Sequence, residues 1–335
     1  MQKRKCVQDI ISHKQPAYLP YNVELSGELT NQVEKELDIE KGSFFSWAGN
    51  HIEKCGFEKG AFIKPGIYKD EYDVVWDRSG VDKDIGIILD YLFKNPDISE
   101  YEFKKVDSNL IKQISESFLE NERDTYKYAK IGTTLFERAW SLRGFQNLFM
   151  DFLLEEKFVH ELLTKITDFN LEVLDCALEY DFDGVYFGDD YGQQSGMMMS
   201  PDVWKKFLKP QLKRMFDKAK EKGKTICLHS CGDIDLVLPD LIDIGLDVYQ
   251  TVQPEIYDLN NLKKEYGKDL TFYGGISTQR DLPFKTPREL KDIIRETMKV
   301  LGDGGGYIVA PTHRVTSDTP TPNIYAMIET FKEQS

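Results

Sequence analysis

The run Thr225-Ile-Cys-Leu-His-Ser-Cys-Gly232 ends an apolar stretch with a histidine and a cysteine two residues apart. On a β-strand that spacing puts both side chains on one face. Imidazole nitrogen and thiolate sulfur are natural zinc ligands, so His229 and Cys231 can share one ion. A catalytic zinc takes a third protein ligand and keeps one position open. His313 is the candidate: it closes a similar run, Gly306-Tyr-Ile-Val-Ala-Pro-Thr-His313, and is one of only five histidines. If both runs are strands of one parallel sheet, their ends meet on the same side.

A second cluster is Phe187-Gly-Asp-Asp-Tyr-Gly-Gln-Gln194. Its adjacent carboxylates, Asp189 and Asp190, suit a metal ligand, a substrate anchor or a general acid. Strand alternation gives only one of them the pocket. Glu137 and Arg138 close an earlier run and offer another acid and a cation, or a structural ion pair. Gln250, Gln253 and Tyr273 close further runs. Trp76, Tyr191 and Tyr273 can wall an aromatic pocket, although aromatic side chains more often fill cores. His51 and Cys55, four apart, would share a helical face and make a weaker competing metal pair. Gly302-Asp-Gly-Gly-Gly306 reads as the turn entering the last strand, because a phosphate loop would instead lead from a strand into a helix.

These residues need elements to bring them together. From about residue 128 short apolar runs alternate with long amphipathic segments, the pattern of βα units on a parallel sheet. Strands are expected near 128–135, 183–189, 224–230, 248–252, 271–275 and 306–311. Helices are expected at about 156–181, 201–222, 235–244, 258–266, 287–301 and 320–333. Ser200-Pro201 and Thr286-Pro287 each place a capping residue before proline at the first helical position. Two upstream strands, at Leu19–Leu25 and around Ser43–Ser46, would bring the number to eight. The expected fold is therefore an α/β (β/α)8 barrel, one domain over 1–335, with its site at the C-terminal ends of the strands. Residues 60–125 break the alternation. Tyr72-Asp-Val-Val-Trp76 reads as a strand, Asp77–Gly80 as a turn and Asp82–Asp84 as a polar loop, giving a hairpin insertion that lies like a lid near the barrel mouth.

Composition narrows the partners. A net charge of −14 disfavours nucleic acid and anionic membranes and points to small molecules or a protein. The five cysteines show no disulfide framework, which fits a reducing cytoplasm. The basic N-terminus lacks the apolar core of a signal peptide, and no apolar run approaches a membrane span. A homodimer stays open.

The order of motifs resembles the uroporphyrinogen decarboxylase superfamily, in particular its branch of zinc-containing, corrinoid-dependent methyltransferases. The segments that carry the resemblance are Phe187–Gln194, Met199-Ser-Pro-Asp-Val-Trp204, Leu228-His-Ser-Cys-Gly232, Phe272-Tyr-Gly-Gly-Ile-Ser-Thr-Gln279 and Gly304-Gly-Gly-Tyr-Ile-Val-Ala-Pro311. The likeness is firm from about residue 130 onward, and Asp73-Val-Val-Trp-Asp-Arg-Ser-Gly80 also looks like a feature of the branch. It implies the barrel, zinc, and a corrinoid carried by a partner protein.

Two departures shape the functional expectation. Uroporphyrinogen decarboxylases carry an arginine-rich motif near the N-terminus, whereas Pro16-Ala-Tyr-Leu-Pro-Tyr-Asn-Val-Glu24 has no arginine. Relatives that methylate coenzyme M look like His-X-Cys followed far downstream by a second cysteine, and here that position falls at Thr312-His313. One thiolate and two neutral imidazoles would leave zinc at about +1, a stronger Lewis acid and a poorer platform for a thiolate. The expected function is a zinc-dependent methyltransferase that moves a methyl group from a methoxylated, aromatic-leaning small molecule to a corrinoid-binding protein. His229, Cys231 and His313 would hold the metal and Asp190 or Glu137 would act as the acid. Trp76, Arg138, Asp189, Tyr191, Gln253 and Tyr273 would hold the substrate. The alternatives are a zinc-free lyase using Arg138 and the carboxylates on a small acid, and a non-catalytic subunit that docks on a corrinoid protein.

Overall fold

In the computed structural model, which describes residues 2–80 and 86–334, seven parallel strands pair in chain order. They are Ile52–Gly56, Tyr126–Ile131, Gly184–Gly188, Thr225–His229, Val248–Val252, Thr271–Ile276 and Tyr307–Pro311. The eighth stave is the extended segment around Tyr21. Its Asn22 amide donates to Val309 O on one side, and its Tyr21 carbonyl accepts from the His51 amide on the other. The sheet thus closes into the expected (β/α)8 barrel.

Six of the expected strands and all six expected helices are present, with ends shifted by a few residues. The capping signals act as read. Ser200 Oγ accepts from the Val203 amide, and Thr286 with Glu289 forms a reciprocal capping box. One expected strand is a helix instead: Phe44–Ala48 makes a short turn that buries Phe44 and Ala48 and stops at Gly49. The strand lies at Ile52–Gly56. Its Glu53 and Lys54 are charged, so it does not read as an apolar run, yet both are satisfied internally. Glu53 accepts from Asn121 and pairs with Arg123, while Lys54 pairs with Glu24 at 2.5 Å. His51 and Cys55 therefore sit on extended backbone and not on a helical face. His51 Nε2 meets Tyr18 Oη at 3.1 Å, and Cys55 is buried with Phe57 and Ala129.

The section that interrupts the alternation is larger than one hairpin. Ala61–Lys64, Ile67–Lys69, Val75–Asp77 and Ile87–Asp90 form a four-stranded antiparallel sheet in chain order. Of the expected strand at 72–76 only the end is regular, because Asp73 takes φ 69°. Asp82–Asp84 lies outside the described residues. The Ser108–Leu119 helix packs beside Glu156–Ala177 on the barrel wall, so the insertion proper lies between the first strand and its own helix.

One buried carboxylate organises the lid. Asp70 Oδ1 accepts from the amides of Tyr72 and Val74, and its Oδ2 accepts from Trp76 Nε1 and Arg138. Arg138 also pairs with Glu71 at 2.5 Å and lies over the Tyr72 ring. Arg138 thereby clamps the lid to the barrel. Breaking a buried pair leaves the partner's charge uncompensated, which costs about 3–5 kcal/mol. Arg138→Met should lower the denaturation midpoint accordingly and raise hydrogen exchange at residues 70–77 before the barrel strands. Uniform exchange across the chain would mean that the clamp is not local to the lid.

Candidate metal centre

Adjacent carboxylates at the end of the Gly184–Gly188 strand point to opposite sides. Asp189 is fully buried, and its two oxygens accept from the amides of Phe136 and Glu137 at 2.8 and 2.7 Å. It thereby satisfies the first two amides of the Phe136–Arg143 helix, whose own N-cap residue, Leu135, offers no side-chain cap. Burial lifts its carboxyl to about 7, against the pull of those two amides. Asp190 turns the other way: its Oδ1 accepts from the Cys231 amide at 2.8 Å and lies 3.5 Å from His229 Nε2.

His229 and Cys231 leave the end of the Thr225–His229 strand on one side, as their spacing requires. Cys231 Sγ stands 3.4 Å from His229 Nε2. The ligand atoms of Asp190, His229 and Cys231 all lie within 4.8 Å of one another. Metal–ligand bonds of about 2.0–2.3 Å in a tetrahedron separate neighbouring donors by about 3.3–3.8 Å, so these contacts match the spacing zinc requires. The three residues are partly exposed, which leaves one side of the cluster open.

The imidazole is held in one orientation. Its Nδ1 lies 2.5 Å from Gln250 Oε1, which also accepts from Tyr186 Oη at 2.6 Å. With the proton on Nδ1, the lone pair of Nε2 faces Cys231 and Asp190. Such an outer hydrogen bond fixes both tautomer and ring orientation. Burial pulls the His229 pKa below its ordinary value, while Asp190 opposes the shift. Burial, followed by the Asp190 and Glu137 carboxylates, pushes the Cys231 thiol far above its ordinary value. Glu137 is likewise raised well above the usual carboxylate range by burial and by Asp190 and Asp189.

Two glycines let the ligand loops touch. Gly232 takes φ 82°, and a Cβ there would lie 2.0 Å from the Gly192 carbonyl carbon. The Gly192 amide donates to Cys231 O, and the Asp233 amide to Gln193 O. Gln253, expected against substrate, is buried and accepts from the Gly232 amide at 2.7 Å, so it braces the same loop.

The other expected residues disperse. His313 is exposed, its ring centroid 6.0 Å from that of His229, and it stands beside the three-residue cluster. Tyr191 is buried against Trp204 and Phe136, Tyr273 is buried in the barrel, and Trp76 is buried in the lid core. The three aromatics therefore do not form one wall. Arg138 and Asp189 are spent on the lid and on the helix cap. Tyr186, which holds Gln250 against the imidazole, was missed, although it carried a signal as a polar tip on an otherwise apolar strand.

The barrel with a nitrogen, sulfur and carboxylate cluster at its C-terminal strand ends defines a metal-competent barrel protein. The chain belongs to the uroporphyrinogen decarboxylase (URO-D) family, whose model matches residues 133–334. It is 31% identical over 131 residues to the methylcobamide:CoM methyltransferase MtaA of Methanosarcina barkeri, covering 39% of this chain and 36% of that one. It is 23% identical over 201 residues to a methylated-thiol--coenzyme M methyltransferase of Methanosarcina mazei, covering 60% of this chain and 52% of the relative. The matched parts thus span about a third to a half of those relatives. A solved methyltransferase from Methanosarcina mazei superposes with a TM-score of 0.76 at 13% identity, covering 99% of each chain, and shares the fold. Among the described residues no helix is long and apolar enough to cross a membrane.

Cys231 must lose its proton to bind zinc, and burial pulls the His229 pKa below its ordinary value, so the thiol governs the pH dependence. Apparent zinc affinity should therefore rise about tenfold per pH unit between about pH 6 and 8. Cys231→Ser and Asp190→Asn should each lose most of the metal in a folded barrel, with His313→Ala retaining it. Elemental analysis showing zinc lost from His313→Ala and kept in Asp190→Asn would exchange their roles.

Proposed function

We propose that the protein is a zinc-dependent methyltransferase that takes a methyl group from a methoxylated small molecule and passes it to a corrinoid carried by a partner protein. The observation that carries this reading is Glu137, a carboxyl beside the metal cluster that burial and the neighbouring Asp190 and Asp189 raise well above the usual carboxylate range. A carboxylic acid kept neutral by its surroundings can donate a proton during turnover. Ether cleavage needs that proton: the methyl–oxygen bond breaks, its electron pair stays on oxygen, and Glu137 protonates the departing alkoxide or phenoxide. Bound at Asp190, His229 and Cys231, zinc supplies a Lewis acid beside the open side of the cluster. Gln250 and Tyr186 hold the imidazole, and His313 borders the open side.

A second reading, transfer to or from a thiol, is favoured by two observations. Both named relatives are coenzyme M methyltransferases. A site of thiolate, carboxylate and imidazole is also neutral with zinc, which removes the +1 charge expected with His313 as a ligand.

Leaving-group dependence separates the two. For ether cleavage, Glu137→Gln should keep zinc and slow demethylation by about 10²–10⁴-fold for an alkyl methyl ether, with a smaller loss for an acidic phenol as leaving group. An equal loss across leaving groups, or methyl transfer to a thiol at undiminished rate in the variant, would select the thiol reading.

A further inference from the structure

The stretch Pro16–Glu24 has no part in the methyl-transfer reading, yet its end enters the barrel mouth. The stave around Tyr21 sits between the Tyr307–Pro311 and Ile52–Gly56 strands, so the Thr225–His229 strand is four places away in either direction. Glu24 and the metal cluster therefore stand on opposite walls. The Glu24 side chain points inward. Its Oε1 accepts from Lys54 Nζ at 2.5 Å and from the Asn22 side-chain amide at 3.1 Å, and the same ammonium lies 4.7 Å from the centre of the Tyr186 ring. Tyr186 in turn reaches Gln250 and lies against the His229 ring, with centroids 6.4 Å apart. One continuous wall of side chains thus joins Glu24 to the imidazole.

The Lys54 side chain is 14% exposed and that of Glu24 39%, so the carboxylate is the partner that faces the opening. Both of its bonds fall on Oε1, and among the described residues nothing donates to Oε2. Enclosure works to raise the Glu24 carboxyl, but Lys54, Lys130 and Arg314 outweigh it and hold the group below the usual carboxylate range. An ionised carboxylate only accepts hydrogen bonds, so its open oxygen calls for an N–H or O–H donor. Three cations around a single carboxylate already exceed its charge, which disfavours an ammonium ligand. A carboxylate ligand would meet the open oxygen of Glu24 itself. A neutral hydroxyl satisfies both conditions.

We propose that Glu24 is a specificity-determining residue whose Oε2 accepts a hydrogen bond from a neutral hydroxyl of the substrate, at the end remote from the metal cluster. The substrate class narrows to methoxylated compounds that also carry a free hydroxyl. This assignment rests on the methyl-transfer reading for the methoxy group and adds the contact on the opposite wall.

The test is equilibrium dialysis of the zinc-loaded full chain against 4-methoxyphenol and against 1,4-dimethoxybenzene, in which a second methoxy group replaces the hydroxyl across the ring. The phenol should bind about tenfold more tightly, the scale of a hydrogen bond to a charged acceptor. Glu24→Leu combined with Lys54→Met removes both charges together, so neither is left unpaired, and should bring the two affinities together. Glu24→Gln keeps the shape with a neutral acceptor and should leave a preference of about threefold, which decides the matter if melting curves show that the double variant does not fold. The assignment is overturned if 4-methoxyphenol shows no saturable binding, if the parent has no preference, or if Glu24→Gln leaves the preference unchanged. A preference that survives in the folded double variant would place the hydroxyl on zinc and overturn it too. It also fails if 4-methoxybenzoate or 4-methoxybenzylamine binds the parent more tightly than 4-methoxyphenol and loses that advantage in the double variant, since the ion pair would then read charge. Binding is measured without a corrinoid, so failure of methyl transfer leaves the preference standing. Equal kcat/KM for demethylation of the two compounds would instead sink the assignment and leave methyl transfer intact.

Discussion

The buried carboxylate of Asp189 is the constraint from which the site's geometry follows. By accepting the amides of Phe136 and Glu137 it fixes where the next helix begins. Glu137 is then held beside Asp190, and Arg138, one residue on, reaches Asp70 and Glu71 in the lid. Asp190 follows on the opposite side of the chain and joins His229 and Cys231. One strand end therefore places an acid, a metal donor and the anchor of the lid. Burying a carboxylate against two amides is favoured only where both donors are supplied, so the three placements stand or fall together.

The same economy operates at the cysteine. Cys231 is useful only if its loop lies against the one carrying Asp190, and the backbones approach to distances that exclude any Cβ at Gly192 or Gly232. Gln253 and Tyr257 then hold that loop from below, Gln253 through the Gly232 amide and Tyr257 through the Ile234 amide and the Gly232 carbonyl. The cluster is thus preorganised by neutral hydrogen bonds, and the imidazole by Gln250 and Tyr186. Its ligand atoms need little rearrangement to close on an ion.

Much of this was legible because the relevant signals are local. The two-residue spacing of His229 and Cys231 survives any arrangement of the rest of the chain, and the strand and helix periods from residue 128 onward specify the barrel. What stayed hidden depends on contacts between distant segments. Ile52–Gly56 did not read as a strand because its charges find partners at Glu24, Asn121 and Arg123, far off in sequence. The stave at Tyr21, by contrast, falls within the strand expected at Leu19–Leu25, although it is held by bonds to its two neighbours and forms no long ladder of its own. Whether Asp190 or His313 stands closer to the cluster depends on how two loops turn after their strands, which no spacing encodes. The aromatic residues Trp76, Tyr191 and Tyr273 were candidates by type alone, and type does not distinguish a pocket wall from a core.

The lid enters the chain between the first strand and the helix that follows it, while Asp190, His229, Cys231 and His313 all come from the second half of the chain. The inserted section and the metal-competent cluster therefore come from separate stretches of sequence, joined mainly through Arg138; on the proposed function, ligand recognition and chemistry would divide along the same line. A lineage carrying this fold can lengthen, shorten or exchange the stretch after the first strand while the reactive end of the barrel is inherited unchanged. Diversification by that route would alter which molecules are admitted long before it altered what is done to them.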